Sequence, residues 1–343
     1  MNPKKIKIIG NLLVSGVLAS MLSIGAIAQS TVTIKFAHNG NTNPEDPQNV
    51  GVAAFKEMVE ERSDGSLQVQ IYPAGQLGDA RSIVESMQLG LIEMADVENG
   101  PMGRFVPEAM VWDLPFIFRD IEHAHKVLDG EIGQAIQEKY LGVGIRHLAY
   151  NDGGFRYFTN DQRPIHSLDD MNGLLIRVME SAVMVDTVNA FGASAVPMSF
   201  GELYTALQQG VVDGQENPMN LIYSQRFYEV QDYLSLSGHF YYPRQYIASE
   251  TWWQSLSQEH RDIIAQASKE ASEIQRAALV EYEVEMLQVL QERGMKVNEV
   301  SEESKQEFIE VGLRDIYPSY YEVLGGGDAT RGEELVRSIL SVE

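Results

Sequence analysis

Cysteine is absent from all 343 residues. Its absence excludes disulfides, a thiolate nucleophile, a Cys-ligated zinc and a cysteine-linked lipid anchor, and leaves the core and any bound ligand to supply stability. Positive charge is scarce: 26 Lys and Arg stand against 49 Asp and Glu, a formal net charge of −23. So acidic a surface argues against nucleic acid or anionic membrane as partners. After residue 28 no run approaches the roughly 18 apolar residues that a membrane span requires. Enzyme signatures are missing as well. The nearest approach to G-x-S-x-G is Gly192-Ala193-Ser194-Ala195-Val196, which lacks the final glycine, and no G-x-G-x-x-G, Walker or H-E-x-x-H pattern occurs. His123 and His125 lie two apart in a helical pattern, so they point to different faces and read as a surface pair, not as shared metal ligands. No catalytic group, cofactor or metal site is expected.

What is present is a chain long and apolar enough, at 44% hydrophobic residues, for two domains. Residues 1–28 stand apart. Lys4, Lys5 and Lys7 precede the mostly apolar stretch Ile8 to Ile24, and Ala26-Ile27-Ala28 is an A-x-A site, so an exported chain cleaved after Ala28 is expected.

The most informative stretch is Met171 to Pro218. Leu174-Leu175-Ile176-Arg177-Val178 reads as a short buried strand that delivers a guanidinium near its end, and an arginine so placed wants an anion. An amphipathic helix from Ser181 to Gly192 follows, then Ala195-Val196-Pro197-Met198, a helix from Phe200 to Gln209 stopped by Gly210, and Val211 to Pro218. This alternation predicts an α/β sheet whose ligands sit outside the carboxyl ends of the strands, where Arg177 and Asn217 lie. Upstream, the strand Thr31 to Ala37 empties into the cleft-type loop His38-Asn39-Gly40-Asn41-Thr42-Asn43-Pro44. Val143 to Tyr150 and Phe155 to Thr159 read as strands interrupted by Asn151-Asp152-Gly153-Gly154, a candidate domain crossing, with a second near Gly238 to Arg244. Ser257 to Arg293 is an almost unbroken helical pattern, and Gly325-Gly326-Gly327 precedes a terminal helix.

The runs G-L-L-I-R-V at residues 173–178 and F-G-A-S-A-V-P-M-S-F-G-E-L-Y-T-A-L-Q-Q-G-V-V-D-G-Q-E-N-P at 191–218 resemble the substrate-binding proteins of tripartite ATP-independent periplasmic (TRAP) transporters. So do Tyr72-Pro73-Ala74-Gly75-Gln76-Leu77-Gly78, Asp113-Leu114-Pro115-Phe116-Ile117-Phe118 and Phe227-Tyr228-Glu229-Val230-Gln231. The resemblance covers most of the chain after residue 30. It implies a periplasmic binding protein of α/β class: two lobes with mixed sheets, joined by a hinge and spanned by a long helix. The expected division is 29–152 with 242–281 for lobe 1, 153–241 with 282–324 for lobe 2, and 325–343 as a tail helix.

The implied function is capture of a small organic acid for the small and large membrane permease subunits. A sugar acid such as a uronate or aldonate leads. A C4-dicarboxylate, a keto acid or an ectoine-like zwitterion is the alternative ligand, and a sensory role is the alternative function. A monomer that binds no nucleic acid is expected. By the same resemblance Arg177 clamps the ligand carboxylate, because a planar guanidinium donates two parallel charge-assisted hydrogen bonds where lysine offers a point charge. Arg156 matches a second substrate-facing arginine and Asn217 an amide that meets the same carboxylate. Phe200 is an apolar wall, and His38, Asn39 and Glu98 line the first lobe's side. Glu180 departs from the family's small or amide residue; facing the cleft, it repels a second carboxylate and accepts from hydroxyls.

Overall fold

The computed structural model describes residues 31–343, so the expected leader and the expected cleavage site at Ala28 lie outside the described residues. The fold is mixed α/β. The strands are β1 (Val32–His38), β2 (Leu67–Tyr72), β3 (Met94–Glu98), β4 (Ile145–Asn160), β5 (Leu175–Val178), β6 (Ser194–Pro197), β7 (Gly214–Asn217), β8 (Tyr233–Ser249) and β9 (Lys296–Glu299). They form one sheet in the order β2-β1-β3-β8-β4-β7-β5-β6, with β9 beside β8. Parallel pairs β1–β2, β1–β3, β5–β6 and β5–β7 flank the long antiparallel pair β4–β8 at the centre.

Two lobes share that central pair. The carboxyl-terminal part of β8 pairs with β3 and the amino-terminal part of β4, whereas the rest of β4 pairs with β7 and the start of β8 carries β9. The sequence suggested a break at Asn151–Gly154. Instead β4 runs through it as a single strand of 16 residues, with a register shift between Asp152 and Phe155 opposite Pro243 and Tyr241. The polar and glycine residues mark a bulge because strand pairing on both sides holds the backbone extended. Gly153 and Gly154 are required there by space and by backbone angle. A Cβ on Gly153 would stand 2.0 Å from the Tyr242 ring, and Gly154, at φ +89°, would meet the Glu283 carboxylate at 2.4 Å.

The helix Gln258–Glu292, 35 residues long, is capped by Ser257, whose hydroxyl accepts from the His260 amide at 3.2 Å. It grips β4 at the bulge: the Gln275 amide bonds both the N–H and the carbonyl of Asp152, at 3.0 and 2.7 Å. About two turns further on, Glu283 faces Gly154 with Oε1 enclosed and, among the described residues, unpartnered. Burial, reinforced by Asp152, pushes its carboxyl up to about 8. A raised folded-state value means that the folded chain holds a proton the unfolded chain has lost, so this contribution to stability is full below about pH 4.5 and disappears as pH rises through 8. Glu283→Gln is therefore expected to flatten the fall in urea midpoint between pH 5 and 9. An identical slope in wild type and variant would contradict this.

The terminal segment departs from expectation. Phe308 and Val311 pack in the second lobe, but Tyr317, Tyr320 and Leu324, expected there as well, are buried with the first-lobe cluster around Trp112, and so are Val336 and Ile339 of the helix Ala329–Leu340. The last helix thus covers the first lobe and is no free tail. His123 is not on the surface either: it is buried, its Nε2 2.9 Å from the Ile339 carbonyl. Among the described residues no helix is long and apolar enough to cross a membrane, and no group of His, Asp and Glu could hold a metal ion.

Candidate functional site

A cavity of about 510 Å³ opens between the two lobes. Asn39 and Glu98 line it from the ends of β1 and β3, and Arg177, Glu180 and Phe200 line it from the segments around β5 and β6.

β5 places Arg177 by simple alternation. Ile176 and Val178 are buried in the second-lobe core, which turns the intervening side chain to the opposite face. The Met198 N–H donates to the Val178 carbonyl at 3.2 Å, and this laces the segment after β6 alongside β5. The Met198 carbonyl then accepts from Arg177 Nε at 3.0 Å and Nη2 at 2.6 Å. One side of the guanidinium is spent on that carbonyl. Its end edge, Nη1 with the second hydrogen of Nη2, is left over, and among the described residues Nη1 has no partner. Burial lowers Arg177 from the usual arginine range to about 10, so it remains charged at neutral pH. The Phe200 ring stands 6.0 Å from its Cζ and forms part of the cavity wall.

The other buried arginines are neutralised. Arg156, fully enclosed, binds the Glu216 carboxylate through Nε and through Nη2 at 2.9 Å, and donates a further bond to the Glu216 carbonyl at 2.6 Å. Arg244 donates to Asp96 Oδ1 at 3.1 Å and to the Asp96 carbonyl at 3.1 Å. Among the described residues Arg177 has no carboxylate within ion-pair distance, so of these three cations it is the one that wants a counter-ion from outside.

On the facing wall Glu98 is buried, and its Oε2 accepts no hydrogen bond from any of the described residues. The Asn39 amide is fixed by the turn that follows β2: its nitrogen donates to the Gly78 carbonyl at 3.2 Å and its oxygen accepts from the Ala80 N–H at 3.0 Å. The opposite orientation offers only a 3.5 Å contact with Glu98, so the former satisfies the amide better. Glu180 lies exposed at the rim.

Three expected site residues do not line the cavity. Arg156 is turned to Glu216, with Nη1 alone unpartnered. Asn217 is buried, and its side-chain nitrogen donates to Gln215 Oε1. His38 is buried behind Asn39 with neither ring nitrogen hydrogen-bonded, and burial, aided by the Arg244 charge, lowers it to about 3, so it is neutral. Two other arginines were missed. Arg81 lines the rim from the helix Ala80–Gln88, paired to Glu85 at 2.8 Å, and Arg244 lies behind Glu98. Arg244 carries the signal that marked Arg177, an arginine set in an apolar and aromatic strand pattern, Tyr241-Tyr242-Pro243-Arg244.

Residues 36–322 match the family model described as bacterial extracellular solute-binding protein, family 7. A TRAP periplasmic solute-binding protein from a Polaromonas species, solved with bound D-erythronate, is 37% identical, with a TM-score of 0.83 over 91% of this chain and 99% of its own. The sugar acid binding protein of Advenella mimigardefordensis, solved with galactonate, is 35% identical, with a TM-score of 0.84 over 91% of this chain and 97% of its own. The C4-dicarboxylate-binding periplasmic protein of Rhodobacter capsulatus is 33% identical over 93% of this chain and 95% of its own. With this coverage, and with a cavity between two lobes that share their central strands, the chain belongs to the family 7 extracellular solute-binding proteins, the periplasmic binding components of TRAP transporters.

Proposed function

We propose that the protein captures a hydroxylated monocarboxylate, a sugar acid of the aldonate or uronate class, and delivers it to a TRAP permease made of a small and a large membrane subunit. It does so as a monomer exported after cleavage at Ala28, and it leaves its ligand chemically unchanged. The observation that carries this reading is the pair of unmet atoms in the cavity: a buried donor, Arg177 Nη1, in one lobe, and a buried acceptor, Glu98 Oε2, in the other. A buried polar atom left unpaired costs about 1–3 kcal/mol, and more when charged, so a ligand that supplies both partners gains that much at each end. A carboxylate matches the arginine, whereas the carboxylate of Glu98 requires a donor, which a hydroxyl is and a second carboxylate is not. The erythronate and galactonate held by the two solved relatives have this pattern. Binding contacts from both lobes favour the closed arrangement, with the bulge of β4 and the facing part of β8 as the hinge.

A C4-dicarboxylate is the second reading. Arg81 at the rim is a further cation, and the Rhodobacter relative is named for that ligand class. Arg81 is already paired with Glu85, however, and Glu180 stands near it, so little positive charge is left for a second carboxylate. Titration calorimetry on the mature protein is expected to show D-galactonate or D-glucuronate bound at least about tenfold more tightly than succinate, a difference of about 1.4 kcal/mol. The reverse order would establish the dicarboxylate reading instead.

A further inference from the structure

We propose, on the reading that Glu98 receives ligand hydroxyls, that Arg244 is the positioning residue of the first-lobe wall: it aims Glu98 into the cavity without consuming its acceptor atom, and so sets the preference for hydroxylated acids. Glu98 and Arg244 are direct register partners across the antiparallel pair β3–β8, the placement in which opposite side chains lie on one face of a sheet. Arg244 is immobilised on three sides. Its Nε and Nη2 hold Asp96, whose other oxygen accepts from Gln48 Nε2 at 2.9 Å, and its Nη1 donates to the Tyr242 hydroxyl at 3.0 Å.

What is left over faces Glu98. Arg244 Nη1 stands 3.8 Å from Glu98 Oε2, too far for a hydrogen bond yet close enough for strong attraction between buried charges. Among the described residues Arg244 is the cation within 4 Å of Glu98, and neutral His38 supplies no substitute. The carboxylate is therefore held by charge and still free to accept. The Tyr242 ring continues the support into the other lobe: Arg244 Cζ lies 5.7 Å from its centroid and Arg156 Cζ 4.4 Å, and the Gly153 bulge packs on its edge. The orientation of Glu98 is thereby tied to the strand that passes between the lobes.

A purely structural arginine that neutralised Asp96 would weaken binding by the same factor whatever stands at position 98, so a double-mutant cycle separates the two roles. By calorimetry with D-galactonate, Arg244→Met is expected to weaken binding about 10- to 100-fold with Glu98 in place, and less than about threefold in the Glu98→Gln background. Arg244→Lys, which restores the charge without the fork, should recover affinity to within about tenfold of wild type. Circular dichroism checks folding; if Arg244→Met does not fold, the cycle is run with Arg244→Lys and Glu98→Gln. Losses that simply multiply, in either cycle, would overturn the assignment. If wild type holds succinate more tightly than galactonate, the sugar-acid reading falls. The same cycle run with succinate then still decides whether Arg244 acts through Glu98, non-multiplying losses upholding its positioning role and multiplying losses refuting it.

Discussion

Arg177→Met is expected to abolish detectable binding while making the ligand-free protein more stable. The two effects share one cause. The guanidinium is buried and charged, and among the described residues it has no carboxylate within ion-pair distance and is hydrogen-bonded only to the Met198 carbonyl. A ligand carboxylate completes a buried charged pair, and removal of one member of such a pair typically costs about 3–5 kcal/mol, which is on the order of 10²–10³ in affinity or more. In the empty protein the same charge is desolvated beyond what the Met198 carbonyl offsets, and burial lowers it to about 10. Methionine fills most of the same volume at no such cost, and so the unfolding midpoint should rise. Arg177→Lys should lose much of the affinity and keep the fold, because its ammonium cannot offer the edge that Nη1 and Nη2 present together. A folded lysine variant that binds as tightly as wild type would show that the end edge of Arg177 does not hold the carboxylate.

Glu216→Gln is expected to destabilise the ligand-free protein by about 3–5 kcal/mol, because Arg156 would then be a buried cation without its anion. Arg156 and Glu216 are both fully buried, and the carboxylate also lies 3.9 Å from His239, whose protonation is driven far below the ordinary histidine range by burial and by the Arg156 charge. With the carboxylate gone, His239 cannot take over its role, because it is neutral and stacked at 3.9 Å on Phe158. The double variant Arg156→Met/Glu216→Leu should recover much of the loss, since an apolar pair of similar size pays no desolvation. Urea unfolding of wild type, Glu216→Gln and the double variant measures both effects. A Glu216→Gln variant as stable as wild type would mean that the pair contributes nothing to the ligand-free fold.

How much of this was legible in the sequence differs from residue to residue. Arg177 could be read because the strand that places it is local: a short apolar run turns Ile176 and Val178 into the second-lobe core and the guanidinium to the opposite face. The long helix could be read because its periodicity persists over 35 residues. Arg156 could not be placed. Its partner Glu216 lies 60 residues away and is brought beside it by the register of β4 with β7, in which Tyr157 faces Asn217 and Phe158 faces Glu216. Long-range pairing of this kind leaves no periodic trace. The break expected at Asn151–Gly154 failed for a related reason: turn-type residues are tolerated inside a strand when neighbours on both sides and a helix beneath enforce the extended chain, and here Gln275 does so. Arg244 carried the same local signal as Arg177, but its purpose depends on Asp96 and Glu98 in the neighbouring strand.

A crystal structure of the mature protein with D-galactonate tests most directly the proposal that Arg177 Nη1 and Glu98 Oε2, unmet atoms in opposite lobes, grasp the two ends of one ligand. The ligand carboxylate is expected about 3 Å from Arg177 Nη1 and Nη2, with a hydroxyl hydrogen-bonded to Glu98 Oε2. A carboxylate bound at Arg81, or a Glu98 that touches no ligand hydroxyl, would contradict it.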